Sequence, residues 1–173
     1  MEMLIVLGII GMVLPTVFTI LFVVFRQQTK IIALKEVTRQ GDLILNTMQT
    51  VIKNNAVSVH NAYPSNAGNQ TCTTASATPT TINPMVFRDI DDNSFYFSFG
   101  SSSIASTSSV MAQPFQLNNS KVVISNFTTR CNRTSTFSQP LITVGFDISY
   151  NTSSTRREDV ARLHYETKIK MKN

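Results

Sequence analysis

Four features of this chain have residue types and spacings that could do chemistry: two histidines, two cysteines, a short acidic run and a glutamate at position 2. His60 and His164 stand far apart, and neither has a serine or cysteine nucleophile signature beside it. Asp89-x-Asp91-x-Asn93 starts like a calcium loop, which takes oxygen ligands from alternate positions and needs Gly at the sixth place and Glu at the twelfth. Ser94 and Gly100 occupy those places, so the run reads as a hairpin turn. Neither cysteine has a Cys or His at metal-ligand spacing. With six glycines in all, the chain has little material for a phosphate-cradling loop. The expectation is a non-enzymatic protein with no metal and no cofactor.

Cys72 and Cys131 both lie well beyond the apolar start of the chain. In an oxidising compartment they are expected to form one disulfide closing a loop of about sixty residues, worth about 4 kcal/mol in the chain-entropy model. Two separately buried thiols are the alternative.

Glu2 raises a different question, because it stands at the lip of twenty-three uncharged residues, Met3 to Phe25. At about 1.5 Å per residue they make a helix of roughly 35 Å, enough to cross a hydrocarbon core of about 30 Å. A secretory signal would carry a basic start, a shorter apolar core and a small-residue cut. Here the start is acidic, the run is long, and Phe25-Arg26-Gln27-Gln28 offers no such cut. The run is therefore expected to stay as a membrane helix. Pro15 removes one backbone donor within it, so a kink or a loosened turn is expected there.

What positions these residues can be read from periodicity. From Arg26 to Val57 the chain continues as a polar helix in which Leu34, Val37, Ile44, Met48 and Val51 form a narrow stripe, with Gly41 in the missing slot. Lys30, Lys35, Glu36, Arg39, Asp42 and Lys53 fall on the other face. His60 to Pro84 is loop by composition. Then the period becomes two. Residues 85–90 and 95–99 flank the turn at Asp91 to Ser94, Ser101 to Ser109 reads as a serine-rich link, and Lys121 to Thr129 as another strand. Leu141 to Tyr150 alternates, with Ile142, Val144, Phe146, Ile148 and Tyr150 on one side. In the last strand Leu163, Tyr165, Ile169 and Met171 face inward, and Arg162, His164, Glu166, Lys168 and Lys170 face water. A polar loop from Asn151 to Asp159 joins these two as an antiparallel pair. The expected fold is α+β: a long N-terminal helix packed on a C-terminal antiparallel sheet, divided as membrane helix 1–25, amphipathic continuation 26–57 and sheet domain 58–173.

Glu2, the apolar run Met3-Leu4-Ile5-Val6 and the small residue Gly11 resemble the start of the type IV pilins and type II secretion pseudopilins. The resemblance covers about thirty residues, joined by the helix-then-sheet order; Pro15 lies earlier than the family's common helix proline. In that family a short basic leader ending in Gly is cut just before the mature chain. Here the cut would fall before Met1, so a misassigned or truncated start is expected, with an unprocessable relative as the alternative. The resemblance implies a minor pilin or pseudopilin held in the membrane and then pulled into a filament by the assembly machinery. Its partners would be other pilin-like subunits, met through the N-terminal helix. Glu2 would neutralise the amino terminus of a neighbouring subunit.

Composition bears on the compartment. Charged residues are only 14%, with Ser, Thr and Asn in their place, which suits a domain outside the cytoplasm. Arg26, Lys30 and Lys35 after the helix argue for the opposite topology on a positive-inside count, but large domains translocate despite flanking charge. Eight of the fifteen Lys and Arg lie at or after Arg130; they hint weakly at DNA, and a solvated strand face is the plainer reading. A stand-alone anchored adhesin is the alternative function.

Overall fold

The computed structural model describes residues 2–76, 78–135, 137–153 and 160–171. One helix, α1 (Glu2–Asn55), leads the chain and runs without a break through Pro15. It divides by burial rather than by geometry. Its residues from Gly8 to Ile32 are exposed, and burial begins at Ala33.

From there α1 buries Ala33, Val37, Gln40, Gly41, Ile44, Met48 and Ile52. Val37, Gly41, Ile44 and Met48 are as the periodicity indicates. Leu34 and Val51 are only half-buried, and Ala33 and Ile52 are sealed in their stead. The reason is helical pitch. Ala33 and Ile44, Val37 and Met48, and Gly41 and Ile52 are each eleven apart, three turns at about 3.67 residues per turn. That repeat keeps one straight line of side chains against the sheet.

Among the described residues ten strands follow, in two sheets. The first has the order β2-β1-β4-β5-β6-β7, built from β1 (Ser58–His60), β2 (Gln70–Thr71), β4 (Val86–Arg88), β5 (Ser94–Gly100), β6 (Ser103–Ser108) and β7 (Phe115–Gln116). The second has the order β10-β9-β8-β3, from β3 (Thr80–Thr81), β8 (Val122–Asn132), β9 (Leu141–Tyr150) and β10 (Arg162–Lys170). All the pairings are antiparallel. The helix therefore packs on antiparallel sheet, in an α+β layout that resembles the pilin fold. Its main contacts are with β10, then β9 and β8.

Alternation decided β9 as expected, with Ile142, Val144, Phe146 and Ile148 buried and Tyr150 half-buried. On β10 Ile169 is buried, as is Met171 just beyond it, and Leu163 and Tyr165 are half-buried. Arg162, His164, Glu166, Lys168 and Lys170 do face outward. Residues 154–159 of the connecting loop lie outside the described residues.

Two segments differ from the periodicity. Ser101 to Ser109 is not a link: β6 pairs with β5 along Phe95↔Ser108 to Gly100↔Ser103. Only Ile104 in it is buried, so there was no apolar contrast to read. The turn before it sets Ser101 and Ser102 at φ 51° and 64°, a conformation usually signalled by Asn-Gly. The stretch from His60 to Pro84 is mostly loop but supplies β2, β3 and a 3-10 turn at Ala67–Asn69. A disulfide between Cys72 and Cys131 ties this stretch to the end of β8.

Gly41 explains how closely helix and sheet approach. A Cβ there would overlap the ring of Tyr165. That ring stacks on Phe146 at 5.6 Å between centroids, and its hydroxyl donates to the Thr38 carbonyl at 3.3 Å, so it cannot withdraw freely. Gly→Ala inside a helix usually stabilises by about 1 kcal/mol, but overpacking costs about 1–3 kcal/mol. Gly41→Ala is expected to lower the thermal midpoint of the full chain in detergent. In a Tyr165→Ala background the same change should raise it. A rise in both backgrounds would refute the contact.

Candidate functional site

The candidate site is the exposed half of α1 and the joint by which the sheets hold it. Among the described residues one helix is long and apolar enough to cross a membrane; its most apolar window has mean hydropathy 2.5 and none of it is buried by the rest of the chain. Glu2 is the first residue of that helix, and its side chain lies outside the described residues. Met3, Met12, Phe18, Ile20 and Phe25 are all more than half exposed. Such a surface is stable only against lipid or other apolar helices.

The two threonine hydroxyls within the apolar run are satisfied by the helix itself. Thr16 Oγ1 donates to the Val13 carbonyl at 2.7 Å, and Thr19 Oγ1 to the Pro15 carbonyl at 2.8 Å. Hydroxyls turned back on their own helix cost little in hydrocarbon. Pro15 itself leaves the Gly11 carbonyl without its usual amide donor. At the end of the apolar run the Arg26 guanidinium lies 4.6 Å from the centre of the Phe22 ring, an arrangement that lets the stem end in a cation at the lipid boundary.

Above the boundary the sheets clamp α1 at three heights. Glu36 Oε1 accepts from Arg39 Nη2 at 2.8 Å, from Asn119 Nδ2 at 2.8 Å and from Gln40 Nε2 at 3.3 Å. Two residues on, the Thr38 carbonyl holds Tyr165. Near the helix end the Gln49 amide donates to the Thr167 hydroxyl. Periodicity had put Glu36 on the solvent face, but its side chain is only 16% exposed. The cause is Asn119, which is far away in sequence and reaches the helix from the β7–β8 connection.

These donors hold the Glu36 carboxyl at a pKa of about 2, Arg39 contributing most and Asn119 next, against the opposing effect of burial. A carboxyl whose pKa falls on folding contributes stability above its unfolded value, about 4.3, and loses it as pH falls toward 2. The denaturation midpoint of the full chain should therefore drop between pH 5 and pH 2.5. The drop should be smaller for Glu36→Gln; an equal drop in both would remove Glu36 from the account. Burial, followed by the charge of Asp42, raises the Tyr165 phenol.

Each histidine stands in a hydrogen-bonded cluster apart from this joint. On the outer face of β8–β10, Asp147 accepts from Asn126 Nδ2 at 2.6 Å and Arg162 Nη2 at 2.7 Å, and contacts His164 Nδ1 at 2.7 Å. Asn126, then His164 and Arg162, keep this carboxyl well below the usual range. Asn126 reaches it from an irregularity in β8, where the register shifts between Ser125 and Thr128 and Asn126 takes φ 53°.

The second cluster was not visible in the sequence. His60 Nε2 lies 2.8 Å from Ser58 Oγ, and its Nδ1 lies 2.8 Å from Asn69 Oδ1. This is the order Ser–His–Asn of a hydrolytic relay. Asn69, however, is committed to the 3-10 turn, accepting from Asn66 N and donating to the Ala62 and Pro64 carbonyls. His60 is 1% exposed. A substrate carbonyl could not reach the ring without displacing the surrounding chain, so the contacts fit a buried tie between β1 and the loop.

Asp89 behaves as the hairpin reading requires, its Oδ1 accepting from the Asp91 and Asn93 amides at 2.9 and 2.8 Å. Among the described residues no three His, Cys, Asp or Glu side chains come together as a metal group. Comparison with protein-family models, curated proteins and solved structures finds no match to this chain.

Proposed function

We propose that this chain is a non-enzymatic structural subunit of a pilus-like filament, of the minor pilin or pseudopilin kind. It stands first in the membrane with its sheets outside the cytoplasm, and is then drawn by assembly machinery into a bundle of stems. One observation carries this reading: a single helix is unburied from Gly8 to Ile32 and clamped to antiparallel sheet beyond. A simple membrane tether needs no stiff continuity between anchor and domain. A subunit whose stem must pack at a set height against its neighbours does.

Glu2 supports the same reading. A carboxylate at the lipid end of such a stem costs several kcal/mol unless it is paired or wet, and the amino terminus of an adjacent subunit is a partner available only after correct docking. The test is Glu2→Ala, scored as chain present in membranes against chain recovered in sheared surface filaments.

A further inference from the structure

Two features at the far end of α1 have complementary shape and charge. The first is the tip of the β4–β5 hairpin, Asp89-Ile90-Asp91-Asp92. Ile90 is 84% exposed, an unusual degree for a large apolar side chain fixed in a tight turn. The turn is stiff, being bonded through Asp89 and through an Arg88–Asp92 ion pair at 2.8 Å. The Asp91 side chain stands beside Ile90 in solvent.

The second feature is a crevice of about 260 Å³ between the last turns of α1 and the end of β10. Among the described residues its lining is Gln49, Lys53, Lys168, Ile169 and Lys170: three cations, one aliphatic residue and no acid. Both features stand at the end of the stem, within about one turn of each other along its axis. The tip adjoins Asn54 to Val57, and the crevice adjoins Gln49 and Lys53.

We infer that the acidic hairpin tip of one copy docks into the lysine-rimmed crevice of the next, with Ile90 as the apolar plug. Parallel stems in one bilayer, or in the proposed filament, bring tip and crevice together after an axial offset of about one turn. The contact joins unlike surfaces, so each docked copy still presents a free tip or a free crevice and the contact can propagate. Lipid headgroups are not the occupant. Lys53 is twenty-eight residues beyond Phe25, about 42 Å along the helix.

The test uses two tagged full-length chains in one membrane, one carrying Ile90→Cys and the other Lys168→Cys. Both native cysteines are already paired, so the new thiols report alone. Mild oxidation should give a mixed dimer, absent when Lys121→Cys replaces Lys168→Cys. Adding Asp91→Lys to the first chain should cut its yield about tenfold, and Lys170→Asp in the second should restore it. If the tags co-purify but no mixed dimer forms, this contact is wrong while the filament reading stands. If the tags never co-purify, this contact is wrong, and the filament reading is judged separately by the Glu2→Ala fractionation. If the crevice instead retains a phosphate polymer in a salt-sensitive way and yields no dimer, the surface is a polyanion site and the inference is overturned.

Discussion

Glu2→Ala is expected to enter the membrane as well as the parent chain and to be nearly absent from filaments. Insertion should not suffer, because the substitution removes a charge that lipid disfavours and leaves the uncharged run Met3 to Phe25 intact. Assembly should suffer heavily. Within a bundle of stems the neighbour's ammonium would lose its counter-ion, and an orphaned buried charge costs about 3–5 kcal/mol, more than a hundredfold in occupancy. Glu2→Gln separates charge from size: it should fail nearly as badly as Ala, whereas Glu2→Asp should retain part of the assembly. Quantitative blots of membrane and sheared fractions measure all three. Normal filament levels for Glu2→Ala would leave the acid with no assembly role.

Replacing both cysteines, Cys72→Ser with Cys131→Ser, is expected to cost about 4 kcal/mol. The bond spans 59 positions, and opening a loop of that size returns roughly that much entropy to the unfolded chain. Domains of this kind are stable by about 5–15 kcal/mol, so the loss is a large share of the total. Local structure adds to it, since Cys131 is 1% exposed and pairs with Thr80 of β3. Without the bond the loop that carries β2 and β3 is held chiefly by short strands and by the Arg133 contact to the Thr73 carbonyl at 3.0 Å. The chain has no tryptophan, so tyrosine fluorescence of detergent-solubilised chain in urea is the measurement. The midpoint should fall while helical circular dichroism of the stem persists. An unchanged midpoint under reduction as well as substitution would show the bond to be incidental.

The two variants act on different parts of one design. Glu2 concerns what the stem meets outside the chain, and the disulfide concerns what keeps the sheets able to hold the stem. The Glu36, Tyr165 and Gln49 contacts lie between them. They make the exposed and clamped halves of α1 one stiff object, which the tip-to-crevice contact would also require.

Contrast between apolar and polar residues was enough, from sequence, to place the stem, the exit of the helix, the alternation of β9 and β10, and the pairing of the only two cysteines. Each of these is a local pattern or an elimination among few candidates. Partners distant in the chain were not legible. Asn119 turns Glu36 inward from 83 positions away, Tyr165 demands Gly at position 41, and the serine strand β6 exists because β5 offers it a ladder. Period and composition tell which side of a segment avoids water, but not which segment will cover it. That choice, together with the division into two sheets and the burial of His60, rests on long-range packing and hydrogen bonds that form only when the whole chain is folded.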